Sequence, residues 1–174
     1  MYLDHAQRQE LVKHAAPDLA LFLRALSALP LRPGAIAART VADFEPRLRT
    51  LRIGTDKNGN ARTVPLPKET ADLVAAQCKN KLPAAPIFAR ANGAAWDKDS
   101  WKGPIKEAVN AAGLAANATA YSLRHSTITD LIVIHGLDLM TVSKLADTSL
   151  AMIEKHYGHL KQGHATSALA KLAI

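Results

Sequence analysis

From Asp4 to Leu26 the apolar positions recur at helical spacing. Asp4 is placed to cap a helix running to about His14. Pro17, whose fixed φ suits a first helical turn, opens a second helix in which Leu19, Phe22, Leu23 and Leu26 form one stripe. In "LPLRPGAIAART", Arg32 stands immediately before Pro33, at a predicted junction between a loop and a short helix. The period then changes to two. Leu48, Thr50 and Arg52 alternate with Arg49, Leu51 and Ile53, and Asn58-Gly59 is a strong turn signal, so this stretch predicts a small antiparallel hairpin. Helical spacing returns after Pro67 and continues through Gln77, and a brief extended "APIFAR" follows. Further helices are expected near 98–112, 121–135, 138–146, 149–159 and 164–172, punctuated by Gly113, Gly136, Gly158 and Gly163. The pattern predicts a mainly α domain with one small antiparallel β-sheet, an α+β fold, free of repeats and linkers.

Length and composition narrow the function classes. The 174 residues suit a single domain, and 48% hydrophobic content is enough for a core. Lysine and arginine number 22 against 15 acidic residues, a formal charge of +7, which favours polyanionic partners and nucleic acid first among them. One cysteine, Cys78, excludes an intrachain disulfide and a thiolate zinc cluster and fits a reducing compartment, where it reads as a small helix-face hydrophobe. The start, "MYLDHAQRQELV", lacks the basic and apolar regions of a secretory signal, so a cytoplasmic location is expected. "PDLALFLRALSALPL" is broken by Arg24 and falls short of the roughly 20 apolar residues that span a bilayer, so no membrane partner is expected.

Several residues then stand out, each with an ordinary structural role beside a chemical one. Leu150, Ile153, Tyr157 and Leu160 share a helical face, so Tyr157 is either a packing aromatic or a presented phenol. His156 and His159 have a spacing that allows chelation, but no third ligand accompanies them, and solvated histidines fit as well. Tyr121, Arg124 and Ile128 share another face, with Arg124 near a helix N-terminus, where a guanidinium and the terminus together suit an anion; a surface arginine is the alternative. Lys57 is at a hairpin tip, an ordinary place for a solvated lysine. Taken together, a phenol, two guanidinium groups and an ammonium suit phosphodiester transfer. Arginines can hold both non-bridging oxygens and stabilise the pentacovalent state, a lysine can protonate the leaving 5′ oxygen, and a tyrosine can attack phosphorus.

The order of these residues resembles the catalytic domain of tyrosine recombinases, the phage-integrase family that includes lambda integrase and the Xer recombinases. "LPLRPGAIAARTVADF" is similar to the first arginine box, with Arg32; "LRIGTDKNGNARTVPLP" to the sheet with the catalytic lysine, Lys57; "YSLRHSTITDLIVIHGLDL" to the second arginine box, with Arg124; and "TSLAMIEKHYGHL" to the segment holding the nucleophile, Tyr157. The resemblance spans about Tyr2 to His164. It carries departures. Tyr121 takes the place of a histidine, Thr148 that of a histidine or tryptophan, Asp147 that of a glycine bordering the active site, and Ala35 that of an acid after the first arginine. A phenol or a threonine hydroxyl can donate to phosphate but is a poorer base than imidazole. A carboxylate about 5 Å from the phosphate would repel it by roughly 3 kcal/mol at an effective dielectric near 20.

The resemblance therefore implies a DNA strand transferase for site-specific recombination or integration, acting through a 3′-phosphotyrosine. Its implied site residues are Arg32, Lys57, Tyr121, Arg124, Thr148 and Tyr157, with His125 and His159 as supports. The enzyme is expected to be competent, and weakened if the Asp147 carboxylate faces the phosphate. No cofactor and no metal are implied. The implied partners are double-stranded DNA and, at synapsis, a homotetramer, with a monomer or weak dimer in isolation. Residues 1–174 would form a single catalytic domain, without the N-terminal clamp domain usual in the family. A non-catalytic DNA-binding remnant and a type IB topoisomerase-like relaxase remain the alternatives.

Overall fold

Asp4 closes a capping box at the start of the chain: its carboxylate accepts from the Gln7 amide at 2.8 Å, and the Gln7 side chain accepts from the Asp4 amide at 3.0 Å. This begins α1 (His5–Lys13) in the computed structural model, which describes residues 1–55, 61–161, 169–170 and 172. The helix α2 (Pro17–Ala28) follows, with Pro17 in its first turn, and buries Leu19, Phe22, Leu23, Ala25 and Leu26. Phe22 is the centre of an aromatic group, with ring centroids 5.8 Å from Trp96 and 5.6 Å from Trp101. A short α3 (Pro33–Ala37) and a 3-10 turn over Val41–Asp43 lead into the sheet.

The sheet is antiparallel in the order β1 (Phe44–Glu45), β2 (Thr50–Thr55), β3 (Ala61–Pro65). Leu51 is opposite Val64 and both are buried, whereas Arg52 on the other face pairs with Asp43 at 2.8 Å. Alternation thus holds from Thr50 onward. Leu48 departs from it: the residue lies in a turn and is 72% exposed, because the chain must reverse between β1 and β2, and Arg49 adopts a φ of 51° to do so. The two-residue β1 is too short to leave a periodic signal.

The remaining helices are α4 (Lys68–Cys78), α5 (Lys98–Ala111), α6 (Ala120–Val133), α7 (Leu139–Leu145) and α8 (Leu150–Tyr157), the last continuing into a 3-10 turn over Gly158–Lys161. "APIFAR" is not a continuous extended segment: the chain bends at Ala85, Ile87 and Phe88 and makes two isolated bridges, Pro86 to Thr40 and Ala89 to Ala95. Gly113 and Gly136 end their helices at φ of 65° and 69°, whereas Gly158 has helical φ and lets the chain run on into the 3-10 turn. The fold is mainly helical with one small antiparallel sheet, as the hydrophobic pattern predicts. Lys57, the turn at Asn58-Gly59 and most of the helix expected over 164–172 lie outside the described residues.

Apolar side chains form two clusters that α6 joins. Leu123 belongs to the large core shared by α1, α2, the sheet, α4 and α5, while Ile128 and Ile132 belong to a smaller one with Val142, Ala146 and Ile153. The N-terminal segment is tied to the same helix. The Leu3 amide donates to Ser126 Oγ at 2.7 Å, Tyr2 donates to Asp130 Oδ1 at 2.8 Å, and Arg8 forms an ion pair with Asp130 in which both side chains are nearly buried. Helix α6 is therefore fixed along its length.

Candidate active site

Arg124 is the most constrained of the predicted site residues. Thr119 and Ser122 form a capping box at the start of α6, and Arg124 follows just beyond the first turn, 9% exposed rather than on the surface. Its Nη1 donates to the carbonyl oxygen of Pro30 and, at 3.0 Å, to that of Ala146. Among the described residues the Nη2 and Nε protons have no acceptor. Arg32 precedes α3, exposed, and its Nη1 donates to the Asp147 carbonyl at 3.0 Å. Two arginines from distant parts of the chain thus hold successive carbonyls of one turn, between α7 and α8. Neither forms an ion pair among the described residues.

That turn is a Schellman-type helix end. The Asp147 amide donates to Lys144 O at 3.4 Å and the Thr148 amide to Ser143 O at 3.1 Å, with Asp147 in the left-handed region at φ 50°. The position favours glycine for its backbone, which accounts for the residue that the family resemblance expects there. Asp147 directs its carboxylate to Arg62 Nη1 on β3, at 2.5 Å. The carboxylate is therefore engaged by a cation. Thr148, half-buried, contributes its amide to the turn. Ala35 contributes backbone alone: its carbonyl accepts from Arg39 Nε at 2.9 Å and its amide donates to the Arg32 carbonyl at 2.9 Å.

Tyr157 lies at the end of α8, half-buried against the smaller apolar cluster, so its place on the Ile153 stripe is real. Its hydroxyl nevertheless points at His125, with the Oη 3.1 Å from Nδ1 and the two rings stacked at a centroid distance of 5.3 Å. Tyr157, His125, Arg124, Tyr121 and Ser122 line one cleft of about 400 Å³, with Tyr121 58% exposed at its rim. A larger groove of about 680 Å³ between α1 and α2 shares no lining residue with it. His156 and His159 are exposed, and no group of three or more potential metal-ligating side chains occurs among the described residues.

The electrostatics favour an anion in this cleft. Burial lowers the pKa of Arg124 from its ordinary value, and the positive charge of Arg32 lowers it further, against the opposing influence of Tyr157, Tyr121 and Asp147. A guanidinium so placed stays protonated and gains by acquiring a negative partner. Burial raises the pKa of Tyr157, with Arg124 acting the other way. His125 shifts down, through burial and then through the positive charge of the N-terminal amine and His159.

Residues 1–164 match the phage integrase family model. The chain belongs to the phage integrase family. It is 37% identical over 110 residues to tyrosine recombinase XerC of Agrobacterium fabrum, a match covering 61% of this chain and 34% of that protein. To XerC of Rhizobium meliloti it is 34% identical over 129 residues, 71% of this chain and 37% of the relative. The matches thus span about a third of the length of these curated relatives. Among solved structures, the Tn1549 transposon integrase in complex with transposon right end DNA superposes with a TM-score of 0.81 at 17% identity, over 100% of this chain and 66% of that one. The catalytic domain of bacteriophage HP1 integrase gives a TM-score of 0.69 at 20% identity, over 97% of this chain and 93% of that one.

Within this integrase-family fold, Arg32 and Arg124 meet on the α7–α8 turn that contains Thr148, and Tyr121 and Tyr157 line the cleft beside Arg124. Lys57 lies outside the described residues. Arg62, which binds Asp147, escapes sequence reasoning, and His125, expected as a support, has a contact with the phenol that the sequence does not show. Both contacts join separate elements, so no periodicity links them.

Proposed function

We propose that this chain is the catalytic domain of a site-specific DNA recombinase that cleaves and rejoins double-stranded DNA through a 3′-phosphotyrosine. The observation that carries the reading is the meeting of Arg124 and Arg32 on the successive carbonyls of Ala146 and Asp147, with Tyr157 in the Arg124 cleft. In this reading the scissile phosphate takes up the free donors of Arg124 and the exposed guanidinium of Arg32, which together offset the charge gained in the pentacovalent state. The Tyr157 oxygen bonds to phosphorus as the bond to the 5′ oxygen breaks. Lys57 gives its proton to that oxygen. Tyr121 and Thr148 donate hydrogen bonds to the phosphate.

The phosphotyrosine keeps the ester's energy, so an incoming 5′-hydroxyl can reverse the step, and the cycle balances without a nucleotide cofactor. Relatives named tyrosine recombinase and a fold neighbour solved with transposon-end DNA support this assignment. Recombination in this reading takes place in a homotetramer synapsed on paired DNA sites, the chain being a monomer or weak dimer when free. Residues 1–174 form the catalytic side of the grip on DNA, in the cytoplasm of a bacterium, whether encoded by the bacterium or by a phage.

The test uses a pool of nicked duplexes with randomised sequence around the nick. Wild-type protein is expected to select a subset into a covalent adduct that survives denaturing electrophoresis, and Tyr157→Phe to form none. Equal adduct in that variant would remove Tyr157 as nucleophile. Duplex binding with no adduct from the wild type would indicate a DNA-binding remnant, and relaxation of supercoiled plasmid without strand exchange a relaxase.

A further inference from the structure

We propose that His125 is the base that takes the phenolic proton of Tyr157 during cleavage and returns it during rejoining. The proposal rests on the strand-transfer reading above and extends it to a residue outside the expected site set. Three features of the structure support it. The Tyr157 Oη is 3.1 Å from His125 Nδ1, within the range from which a base abstracts a proton directly. The rings stack at 5.3 Å, so the imidazole stays against the phenol by packing as well as by its hydrogen bond. The place where the family resemblance expects a histidine holds Tyr121, a phenol that is a poor proton acceptor near neutral pH. Among the described residues His125 is the imidazole that lines the cleft.

Its surroundings suit the role. His125 faces Tyr157 from α8, His159 from the 3-10 turn, the N-terminal amine, and Tyr121 and Arg124 of its own helix. Among the described residues no carboxylate lines this cleft, and burial with neighbouring positive charge favours neutral imidazole, the form that can accept a proton. Burial also keeps Tyr157 protonated, so a nearby acceptor has a proton to remove.

The step balances. The phenol donates from Oη to Nδ1 of the tautomer carrying its hydrogen on Nε2. As the Oη–P bond forms and the P–O5′ bond breaks, the proton passes to Nδ1, giving imidazolium, while Lys57 supplies the separate proton that the 5′ oxygen takes. In rejoining, the 5′-hydroxyl attacks phosphorus, Lys57 recovers its proton, and imidazolium returns the other to the departing phenolate.

The experiment measures single-turnover adduct formation on a duplex selected as above, made with either a normal phosphate or a 5′-bridging phosphorothiolate, whose sulfur leaves without an acid. Substitutions His125→Asn and His125→Ala are compared with wild type at matched duplex affinity and thermal stability. Both are expected to slow adduct formation by about a hundredfold or more on either substrate, in the range of lost general base catalysis. Wild-type rate should fall as pH drops through the imidazole pKa, which lies below the ordinary 6.5, and this acid limb should vanish in both variants. Added imidazole should restore part of the rate to His125→Ala.

Wild-type rates in both variants would overturn the proposal. So would a deficit that the phosphorothiolate abolishes, because it would place His125 on the leaving group, or an acid limb retained in the variants. If wild type forms no adduct, or Tyr157→Phe forms as much, the strand-transfer reading itself fails and the proposal with it. A wild-type adduct lost in Tyr157→Phe but unaffected at His125 removes only the present inference.

Discussion

Asp147 combines a backbone demand and an electrostatic one in a single residue. Its φ of 50° belongs to the left-handed region, which an aspartate tolerates better than most side chains, and its carboxylate is held by Arg62 at 2.5 Å. Substitution separates the two effects. Asp147→Gly removes the backbone strain but loses the ion pair, which is worth at most about 1 kcal/mol with Arg62 this exposed. Asp147→Ala loses the pair and retains the strain, at a cost of about 1–2 kcal/mol for a Cβ in that region. Thermal melts should therefore place the alanine variant about 2–8 °C below the glycine variant. Cleavage should follow charge instead. Both variants remove a negative charge near Arg124 and free Arg62, so both are expected to cleave faster, by no more than about tenfold because Arg62 already offsets much of the repulsion. Arg62→Ala, which bares the carboxylate, should cleave more slowly; a rate above wild type would exclude a repulsive role for Asp147.

At the level of the elements, α6 is the beam and α8 the attachment. Periodicity marks both in the sequence, because Tyr121, Arg124 and Ile128, and likewise Ile153 and Tyr157, fall three or four residues apart. It cannot show that Arg124 reaches back to Pro30, that Arg32 meets the turn after α7, or that Tyr157 faces His125, since each contact closes a long loop and depends on how the helices cross. Motif order supplied the convergence of Arg32 and Arg124 on one phosphate as an expectation; all three contacts required coordinates. The alternation of Leu51 and Ile53 likewise identified β2, whereas the two-residue β1 was too short to be read. Helix α8 and its following turn rest on the smaller cluster through Ile153, Tyr157 and Leu160. Ile153→Ala would remove about 2–4 kcal/mol of packing there while leaving the large core intact. The expected result is local: amides of α8 should exchange with solvent faster, and those of α2 at the wild-type rate. Equal acceleration in both would mean that the two clusters unfold as one.

For the whole molecule, the excess of positive charge matters through where it is placed. Arg32 is exposed beside the cleft and Arg62 is close by on β3, whereas Arg24 lies in the α1–α2 groove, which shares no lining with the cleft. If duplex DNA crosses the cleft face, these arginines differ in the number of counterions their contacts release. The logarithm of the duplex affinity should fall linearly with the logarithm of salt concentration, with a slope of about −0.9 for each phosphate engaged. Arg32→Ala should reduce the size of that slope by about 1, as should Arg62→Ala if Asp147 yields its partner to a phosphate. Arg24→Ala should leave it unchanged. Titrations of a fluorescent duplex over a range of salt concentrations give all four slopes. A loss at Arg24 equal to that at Arg32 would place DNA across the α1–α2 groove and separate the binding face from the cleft that holds Tyr157.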